Sequence, residues 1–277
     1  MKRAFFLVIF LILASTLGVA AELPRIYSII NAAEGGWNMV APGEIVSLYG
    51  ESLGPQVPVS FDNTYPVPQI LGGTAATFNG QNGAIFYASS RQVNVLVPEK
   101  LVPDPNGLVL VMVSRLNQDG SKNESNVLKA LYVLTVPALF SYKEGLVLVK
   151  VVHSYRDGVP HLVTADLPAT CGGNGIYLTL WGTGFGRAYP PLPVGNPAPG
   201  AGDGNPPVEK SIAWMFVSVT DGNTLRILDN DCATIYAAPG YAGLDQVNVK
   251  LPCDLKPGQH QLYLFHYPQP LATIYTR

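Results

Sequence analysis

The chain has 277 residues, of which 48% are hydrophobic and only 13% are charged, whereas an average soluble domain has about 25% charged residues. Its formal net charge of −2 provides no basic surface for phosphate groups, so the chain is not expected to bind nucleic acid. Glycine and proline, 28 and 24 residues, together stay below the roughly 25–30% typical of disordered chains. A folded, turn-rich protein is therefore expected.

The N-terminus has the pattern of an export signal. Lys2 and Arg3 precede an apolar run over residues 4–14, and the small residues Ala20 and Ala21 follow. This order predicts a signal peptide over residues 1–21, because an uncleaved anchor needs about 20 apolar residues. The mature chain is then secreted, periplasmic or on the cell surface, with no stable membrane span.

The segments after the signal have the pattern of β-strands. Short apolar runs alternate with polar residues or are rich in β-branched side chains, and glycine, proline, asparagine or aspartate bounds them. Examples of such runs are residues 44–49, 74–78, 92–97, 108–113, 176–181, 213–219, 246–251 and 261–265. No sustained helical period is present, so an all-β sandwich architecture is predicted.

An internal repeat indicates two domains. Three blocks recur in the same order: residues 48–54 as 180–186, 84–88 as 233–237, and 92–95 as 246–249. The repeat predicts two tandem β-sandwiches, over 22–137 and 138–277, with the connection near Val136 and Pro137.

The second copy is enlarged at two places. Residues 189–207 contain seven prolines and four glycines, a composition that predicts a stiff, exposed loop. Residues 238–245 replace a turn that takes only residues 89–91 in the first copy. A functional loop and a neutral insertion both fit this composition. If the chain has a function of its own, we expect it at residues 189–207 or around Tyr241.

The repeated motif residues are expected to be mainly structural. Gly50, Gly54, Gly182, Gly184 and Gly186 follow strands, where positive φ or a close backbone approach favours glycine. The matching aromatic residues Tyr49 and Trp181 are predicted to lie in the core or between the sheets. Asn94 and Asn248 are predicted to bond the backbone of a neighbouring loop.

The two copies resemble an uncharacterised C-terminal domain family of exported acidobacterial (Solibacter-type) proteins. The resemblance is carried by residues 29–33, 40–50, 53–54 and 92–95 in the first copy, and by 137–140, 179–186, 236–241 and 243–249 in the second. It covers nearly the whole mature chain and implies an immunoglobulin-like fold of the IPT/TIG type. The family has no assigned activity, so the resemblance implies no functional residues.

The three cysteines are Cys171, Cys232 and Cys253. If the segments around Tyr241 and Ala242 form an antiparallel hairpin, Cys232 and Cys253 come within disulfide range. A Cys232–Cys253 disulfide is therefore predicted for an exported chain. The alternative is three buried free thiols.

No metal-hydrolase motif is found, and histidines, the usual bases of nucleophilic catalysis, are few. The HExxH motif is absent, and His153, His161, His260 and His266 do not stand at metal-ligand spacing with the cysteines. We therefore expect no catalytic residues, no metal and no cofactor, and we expect that the chain is not an enzyme.

Exposed aromatic residues remain as candidates for a binding surface. Tyr155, Tyr189, Tyr241 and Tyr267 lie in polar or proline- and glycine-rich surroundings and are candidates for a contact surface. The predicted function is a non-catalytic binding, adhesion or spacer module whose partner is a cell-envelope or extracellular protein or glycan.

Two alternatives remain open at this point. The first is a carbohydrate-active or other extracellular hydrolase. The second is a periplasmic assembly chaperone, which requires a basic anchor between the domains; Lys143, Lys150 and Arg156 lie near the connection.

Overall fold

The structure is a computed structural model. It describes residues 22–33, 38–117, 120–143, 146–147, 149–153, 161–162, 176–200, 207–210, 217–221, 224–228, 233–252, 255–256, 258–264 and 272–276. Every regular element in these ranges is a β-strand. None of them contains a helix with the length and hydropathy needed to cross a membrane.

Eleven strands form the first half of the chain. They are β1 (Arg25–Asn31), β2 (Met39–Val40), β3 (Ile45–Glu51), β4 (Val59–Ser60), β5 (Thr74–Phe78), β6 (Gln81–Asn82), β7 (Ala84–Ala88), β8 (Gln92–Leu96), β9 (Leu108–Leu116), β10 (Lys122–Glu124) and β11 (Leu128–Tyr132).

These strands form two sheets with immunoglobulin topology. One sheet has the order β1-β3-β8-β7-β4 and the other β2-β11-β9-β5-β6, with β10 paired to β9. The segments β1-β3-β8-β7 and β5-β9-β11 correspond to the ABED and CFG sheets of a constant-type immunoglobulin domain. The short strand β2 pairs with β11 in parallel, so the first segment of the chain contributes to both sheets.

The core of the first sandwich lies between these sheets. Alternate residues of each strand point inward, because the side chains of a strand alternate between its two faces. The inward residues are Ile29, Val46, Leu48, Ile85, Val93 and Val95 from one sheet, and Val40, Ala76, Phe78, Val109, Val111 and Val113 from the other.

The second half contains fourteen described strands. They are β12 (Ala138–Leu139), β13 (Ser141–Lys143), β14 (Leu146–Val147), β15 (Val149–His153), β16 (His161–Leu162), β17 (Ile176–Thr183), β18 (Ala188–Tyr189), β19 (Glu209–Lys210), β20 (Val217–Asp221), β21 (Thr224–Leu228), β22 (Ala233–Ala237), β23 (Asp245–Leu251), β24 (Gly258–Leu264) and β25 (Ala272–Thr276).

The second half repeats the topology of the first. One sheet has the order β16-β15-β17-β23-β22-β19-β18, and a four-stranded sheet has the order β21-β20-β24-β25. The segments β15-β17-β23-β22 and β20-β24-β25 again give the ABED and CFG order. The predicted fold class, all-β with two tandem Ig-like sandwiches, is therefore confirmed.

Two glycines of the repeated motif allow neighbouring strands to approach closely. A Cβ on Gly50 would lie 1.9 Å from the carbonyl oxygen of Arg25, and one on Gly182 would lie 2.2 Å from that of Ala138. Both distances are far below contact distance, so only glycine fits. The predicted close approach is confirmed at both positions.

Candidate binding surface and domain junction

The connection between the sandwiches is held by hydrogen bonds on both sides. Asn31 Nδ2 donates to the carbonyl oxygen of Val136 at 2.8 Å, and the amide of Val136 donates to Gly184 O at 2.8 Å. The Thr183 hydroxyl accepts from the amide of Ile45 at 2.8 Å and donates to Gly243 O at 3.0 Å. Backbone groups of the two sandwiches are therefore joined through buried side chains.

An ion cluster lies at the same junction. Lys210 Nζ is 3.1 Å from Asp245 Oδ1 and 3.5 Å from Glu99 Oε1. Glu99 follows β8 of the first sandwich, whereas Lys210 and Asp245 belong to β19 and β23 of the second. The side chains are 1%, 1% and 9% exposed for Lys210, Asp245 and Glu99, so a buried ammonium group joins carboxylates from two domains.

Backbone amides complete the coordination of these carboxylates. The amide of Ala188 donates to Glu99 Oε2 at 2.9 Å, and the amide of Phe185 donates to Asp245 Oδ2 at 3.0 Å. Arg187, between them in sequence, donates from Nη2 to Leu101 O at 3.2 Å. Backbone amides within residues 185–188 therefore bind one carboxylate of each sandwich, Glu99 of the first and Asp245 of the second.

The charges of the cluster shift the pKa values of its members. Burial lowers the pKa of Lys210, but the attraction of Asp245 and Glu99 outweighs burial and raises it above the ordinary value. Burial raises the pKa of Asp245 to about 6, against the opposing effect of Lys210 and the Phe185 amide. Lys210 therefore keeps its proton, and the carboxyl group of Asp245 titrates near neutral pH.

A further buried carboxyl group lies in the first sandwich, before β3. Glu44 Oε2 accepts from the amide of Ala41 at 2.8 Å, whereas Oε1 has no hydrogen-bond partner. Burial raises the pKa of Glu44 well above its ordinary value, although the hydrogen bonds from Ala41 and Asn31 oppose this shift. The environment of Glu44 thus favours its neutral, protonated form.

The prediction of an exposed loop over residues 189–207 is wrong for much of its described part, residues 189–200 and 207. The amide of Val67, in the first sandwich, donates to Gly195 O at 2.8 Å. Val194 packs against the apolar cluster that contains Val67, Ala84 and Leu96. The apolar residues between the prolines therefore cover part of the first sandwich.

The second enlargement contacts the same region. Ala242 is buried in the cluster with Val67 and Leu96, and a Cβ on Gly243 would lie 2.5 Å from Leu96 Cδ1. We call residues 192–198 and 241–243 the clasp, because both segments extend from the second sandwich onto the first. Both insertions expected to hold a function peculiar to this chain thus form part of the domain junction.

The rest of the first ABED sheet presents a face of polar and aromatic side chains. Tyr49 of β3 lies opposite Gln92 of β8, and Ser47 lies opposite Asn94. Gln92 Nε2 donates to Asn94 Oδ1 at 2.8 Å, and the Ser47 hydroxyl donates to the same oxygen at 3.0 Å. Tyr87 of β7 lies opposite Asn94 from the other side.

Tyr27 extends this surface on the edge strand β1. It is 48% exposed, compared with 37% for Tyr49. The guanidinium group of Arg25 lies 5.4 Å from the centre of the Tyr27 ring, and a hydrogen bond to Glu51 raises the pKa of Tyr27. We call Tyr27, Ser47, Tyr49, Tyr87, Gln92 and Asn94 the first outer face.

The second ABED sheet repeats this arrangement. Trp181 lies opposite Gln246, and Thr179 lies opposite Asn248. The amides of Gln246 and Asn248 donate to the Tyr236 hydroxyl at 2.7 and 2.6 Å, and Gln246 also donates to Asn248 Oδ1 at 3.0 Å. We call Thr179, Trp181, Tyr236, Gln246 and Asn248 the second outer face.

These positions correct two sequence predictions. Tyr49 and Trp181 do not fill the core, because their neighbours Leu48 and Leu180 occupy the inward positions and are fully buried. Asn94 and Asn248 bond side chains on their own sheet face instead of a loop backbone. In the sequence, each of these aromatic residues directly follows a leucine. Because strand residues alternate between the two faces, a leucine in the core could have predicted an outward aromatic side chain.

Two of the four candidate contact tyrosines lie within the described residues. Tyr189 is 58% exposed and Tyr241 is 55% exposed; Tyr189 precedes the clasp, and Tyr241 belongs to it. Tyr155 and Tyr267 lie outside the described residues, as do Cys171, Cys232 and Cys253. The contact role and the disulfide therefore stay predictions.

No cluster of three or more histidine, cysteine, aspartate or glutamate residues suited to a metal ion occurs within the part of the chain that the structure describes. His260 is buried there. Its Nε2 lies 2.9 Å from Lys256 O, and its Nδ1 contacts Thr220 O. Both ring nitrogens of His260 thus contact backbone carbonyl groups, which indicates a structural role.

Comparisons with known proteins assign no family to the chain. No family model and no curated protein matches the chain, so membership of the acidobacterial domain family stays a prediction. A similar solved structure is the D00-D0 domain of intimin, with 13% identity and a TM-score of 0.18, covering 90% of this chain and 98% of that one. At this TM-score the similarity carries no argument, and the Ig-like assignment rests on the strand order.

Proposed function

We propose that the chain is an exported, non-catalytic binding module in which two Ig-like sandwiches act as one rigid body. The observation that carries this proposal is the ammonium group of Lys210, which contacts Asp245 of its own sandwich and Glu99 of the other at a buried junction. Separating the domains would break the contact between Lys210 and Glu99, and this contact therefore favours the joined arrangement.

A rigid junction suits binding or spacing better than catalysis. The titratable groups of the junction are buried and have no access to a substrate. The residues that meet solvent on the outer faces are aromatic rings, amides and hydroxyls, which recognise ligands but do not activate water readily. When a ligand is bound to one of these faces, their fixed separation raises the effective concentration of the other face for the same ligand.

The chaperone alternative is not favoured by the junction. It requires a basic group free to bind a client. The buried ammonium group of Lys210 contacts two carboxylates, and a role of Lys143, Lys150 or Arg156 as this group stays a prediction. The proposed partner is a cell-envelope or extracellular protein or glycan, reached after export through the signal segment 1–21.

The experiment is a retention assay with the exported chain purified from producing cells. The chain is incubated with cell-envelope fractions and with a panel of insoluble polysaccharides, and the bound fraction is measured. We expect retention on at least one surface, and small-angle scattering that fits a single fixed arrangement of the domains. Absence of retention on every surface would contradict the binding function.

A further inference from the structure

We propose that the two outer faces bind a neutral polysaccharide chain. This inference rests on the proposed binding function and names its ligand class. It is drawn from the pairing of an aromatic ring with a Gln-x-Asn amide pair at equivalent places in both sandwiches.

The chemistry of the faces fits a sugar ring. A pyranose presents apolar C–H groups on its faces and hydroxyl groups, which both donate and accept hydrogen bonds, around its rim. Tyr49 supplies an aromatic surface, and Gln92 directly across the ladder supplies an amide that donates and accepts. Opposed residues have Cβ atoms about 5 Å apart, so ring and amide can contact the same sugar.

The extent of the first outer face favours a chain over a single sugar. Its residues lie on four consecutive strands, β1, β3, β8 and β7, and neighbouring strands are about 4.8 Å apart. Three such steps separate Tyr27 from Tyr87, and this distance is longer than one sugar ring. Arg25 and Glu51 hold the Tyr27 ring, so this part of the surface is ordered before a ligand arrives.

The repetition of the face is not a requirement of the fold. An Ig-like sandwich needs apolar residues at inward positions such as Leu48 and Leu180, but leaves the outward positions free. Both sheets nevertheless carry an aromatic residue opposite a glutamine, with an asparagine two positions beyond it: Tyr49, Gln92 and Asn94 in the first, and Trp181, Gln246 and Asn248 in the second. Two copies that differ greatly in their loops retain the same surface chemistry.

The charge of the face selects a neutral polymer. Every residue of the first outer face is uncharged, and at its edge Arg25 lies opposite Glu51, so their charges oppose each other. Beside the second outer face, Lys150 lies opposite Thr179 and Lys250 lies opposite Tyr177. An acidic polysaccharide or a phosphate-bearing polymer would therefore find no net positive potential at the first outer face. A neutral glycan needs none.

The closing experiment measures binding of the full exported chain to soluble neutral polysaccharides, namely a β-glucan, a xylan and a mannan, with alginate as the acidic comparison. The method is affinity electrophoresis followed by calorimetry. We expect binding to at least one neutral polymer and none to alginate. Truncating one aromatic residue, Tyr49→Ala or Trp181→Ala, is expected to weaken binding about fivefold, and the double variant is expected to lose it.

A matched control is available on the opposite sheet of the first sandwich. Leu110 is 40% exposed, close to the 37% of Tyr49, and Leu110→Ala is expected to leave affinity unchanged. Tyr49→Phe keeps the ring and is expected to keep binding. Thermal unfolding of each variant separates a loss of binding from a loss of fold.

The outcomes separate this inference from the function on which it rests. Retention of the chain on envelope proteins without binding to any neutral polysaccharide overturns the inference and leaves the binding function intact. Binding to alginate alone, or folded Tyr49→Ala and Trp181→Ala variants with unchanged affinity, also overturns it. Absence of binding to every polymer and envelope fraction overturns both.

Discussion

The ammonium group of Lys210 lies 3.5 Å from the carboxylate of Glu99, and these two residues belong to different sandwiches. Separation of the domains would take from Glu99 both this ammonium group and the amide of Ala188, whereas Lys210 would keep its contact with Asp245. Because isolated charges are costly to bury, this contact links the fold of each domain to the presence of the other. It is the reason to treat the two sandwiches as one unit.

Replacement of the lysine tests this link. We expect Lys210→Met to lower the free energy of unfolding by about 3–5 kcal/mol, because Glu99 and Asp245 are then left without their cation. Denaturant titration measures the loss. Lys122→Met, at an exposed position of β10, is the control and should change stability by less than about 0.5 kcal/mol. Wild-type stability in Lys210→Met would show that the ion cluster does not hold the junction.

Glu44 predicts a pH-dependent stability difference. Its raised pKa means that the native state favours the protonated carboxyl group, so its contribution to stability is present at acidic pH and is lost as pH rises through the native pKa. Glu44→Gln should therefore match the wild type near pH 4. At pH 8 it should be more stable by about 1–3 kcal/mol, because its neutral amide carries no buried charge and needs to bind no proton.

The measurement is the thermal midpoint from pH 4 to pH 8 for both chains. Asp245, with its pKa raised to about 6, adds a loss in the same direction to wild type and variant. Because the negative charge of Asp245 also raises the pKa of Glu44, its ionisation increases the difference between the two chains. Glu124→Gln, at an exposed position, should follow the wild type throughout. A Glu44→Gln variant that loses stability at pH 8 would contradict a protonated Glu44.

The clasp can be tested at Gly195. This residue has φ +80, and a Cβ on it would lie 2.4 Å from the carbonyl oxygen of Val67. Gly195→Ala should therefore detach residues 192–198 from the first sandwich. We expect faster proteolysis in this segment and faster hydrogen exchange at the Val67 amide, which donates to Gly195 O.

Gly240 is the matched control for this change. It has φ +81 but nothing within 4 Å of its Cβ position, so Gly240→Ala carries the conformational strain of about 1 kcal/mol without the clash. Protection of Val67 should persist in Gly240→Ala. Equal exchange at Val67 in both variants would show that the clasp does not depend on the close approach at Gly195.

The Cys232–Cys253 disulfide is tested by mass spectrometry of the exported chain. The strands β22 and β23 form an antiparallel hairpin, as the prediction requires, but Ala233 lies opposite Val249. This register differs by three positions from the one that would place Cys232 opposite Cys253. We expect one alkylatable thiol before reduction and three after it. Three alkylatable thiols without reductant would favour the alternative of free cysteines.

The strands and the repeat were predictable because their signals are local. Leu48 alternates with Ser47 and Tyr49, and this period of two specifies a strand with one buried face whatever it packs against. The same alternation could have placed Tyr49 and Trp181 outward, but large aromatic side chains are so often buried that they were expected in the core. Their position was decided by the leucines beside them.

The sequence by itself determined an all-β chain with two similar halves, because alternation, turn residues and repeated motifs depend only on neighbours along the chain. Only the tertiary structure decided the junction. Glu99 and Ala188, 89 positions apart, meet there, and Lys210 joins them from β19. Such a contact depends on how two domains are placed relative to each other, which residue spacing does not encode. The few charges of the chain, 13% of its residues, include some that are buried where the domains meet.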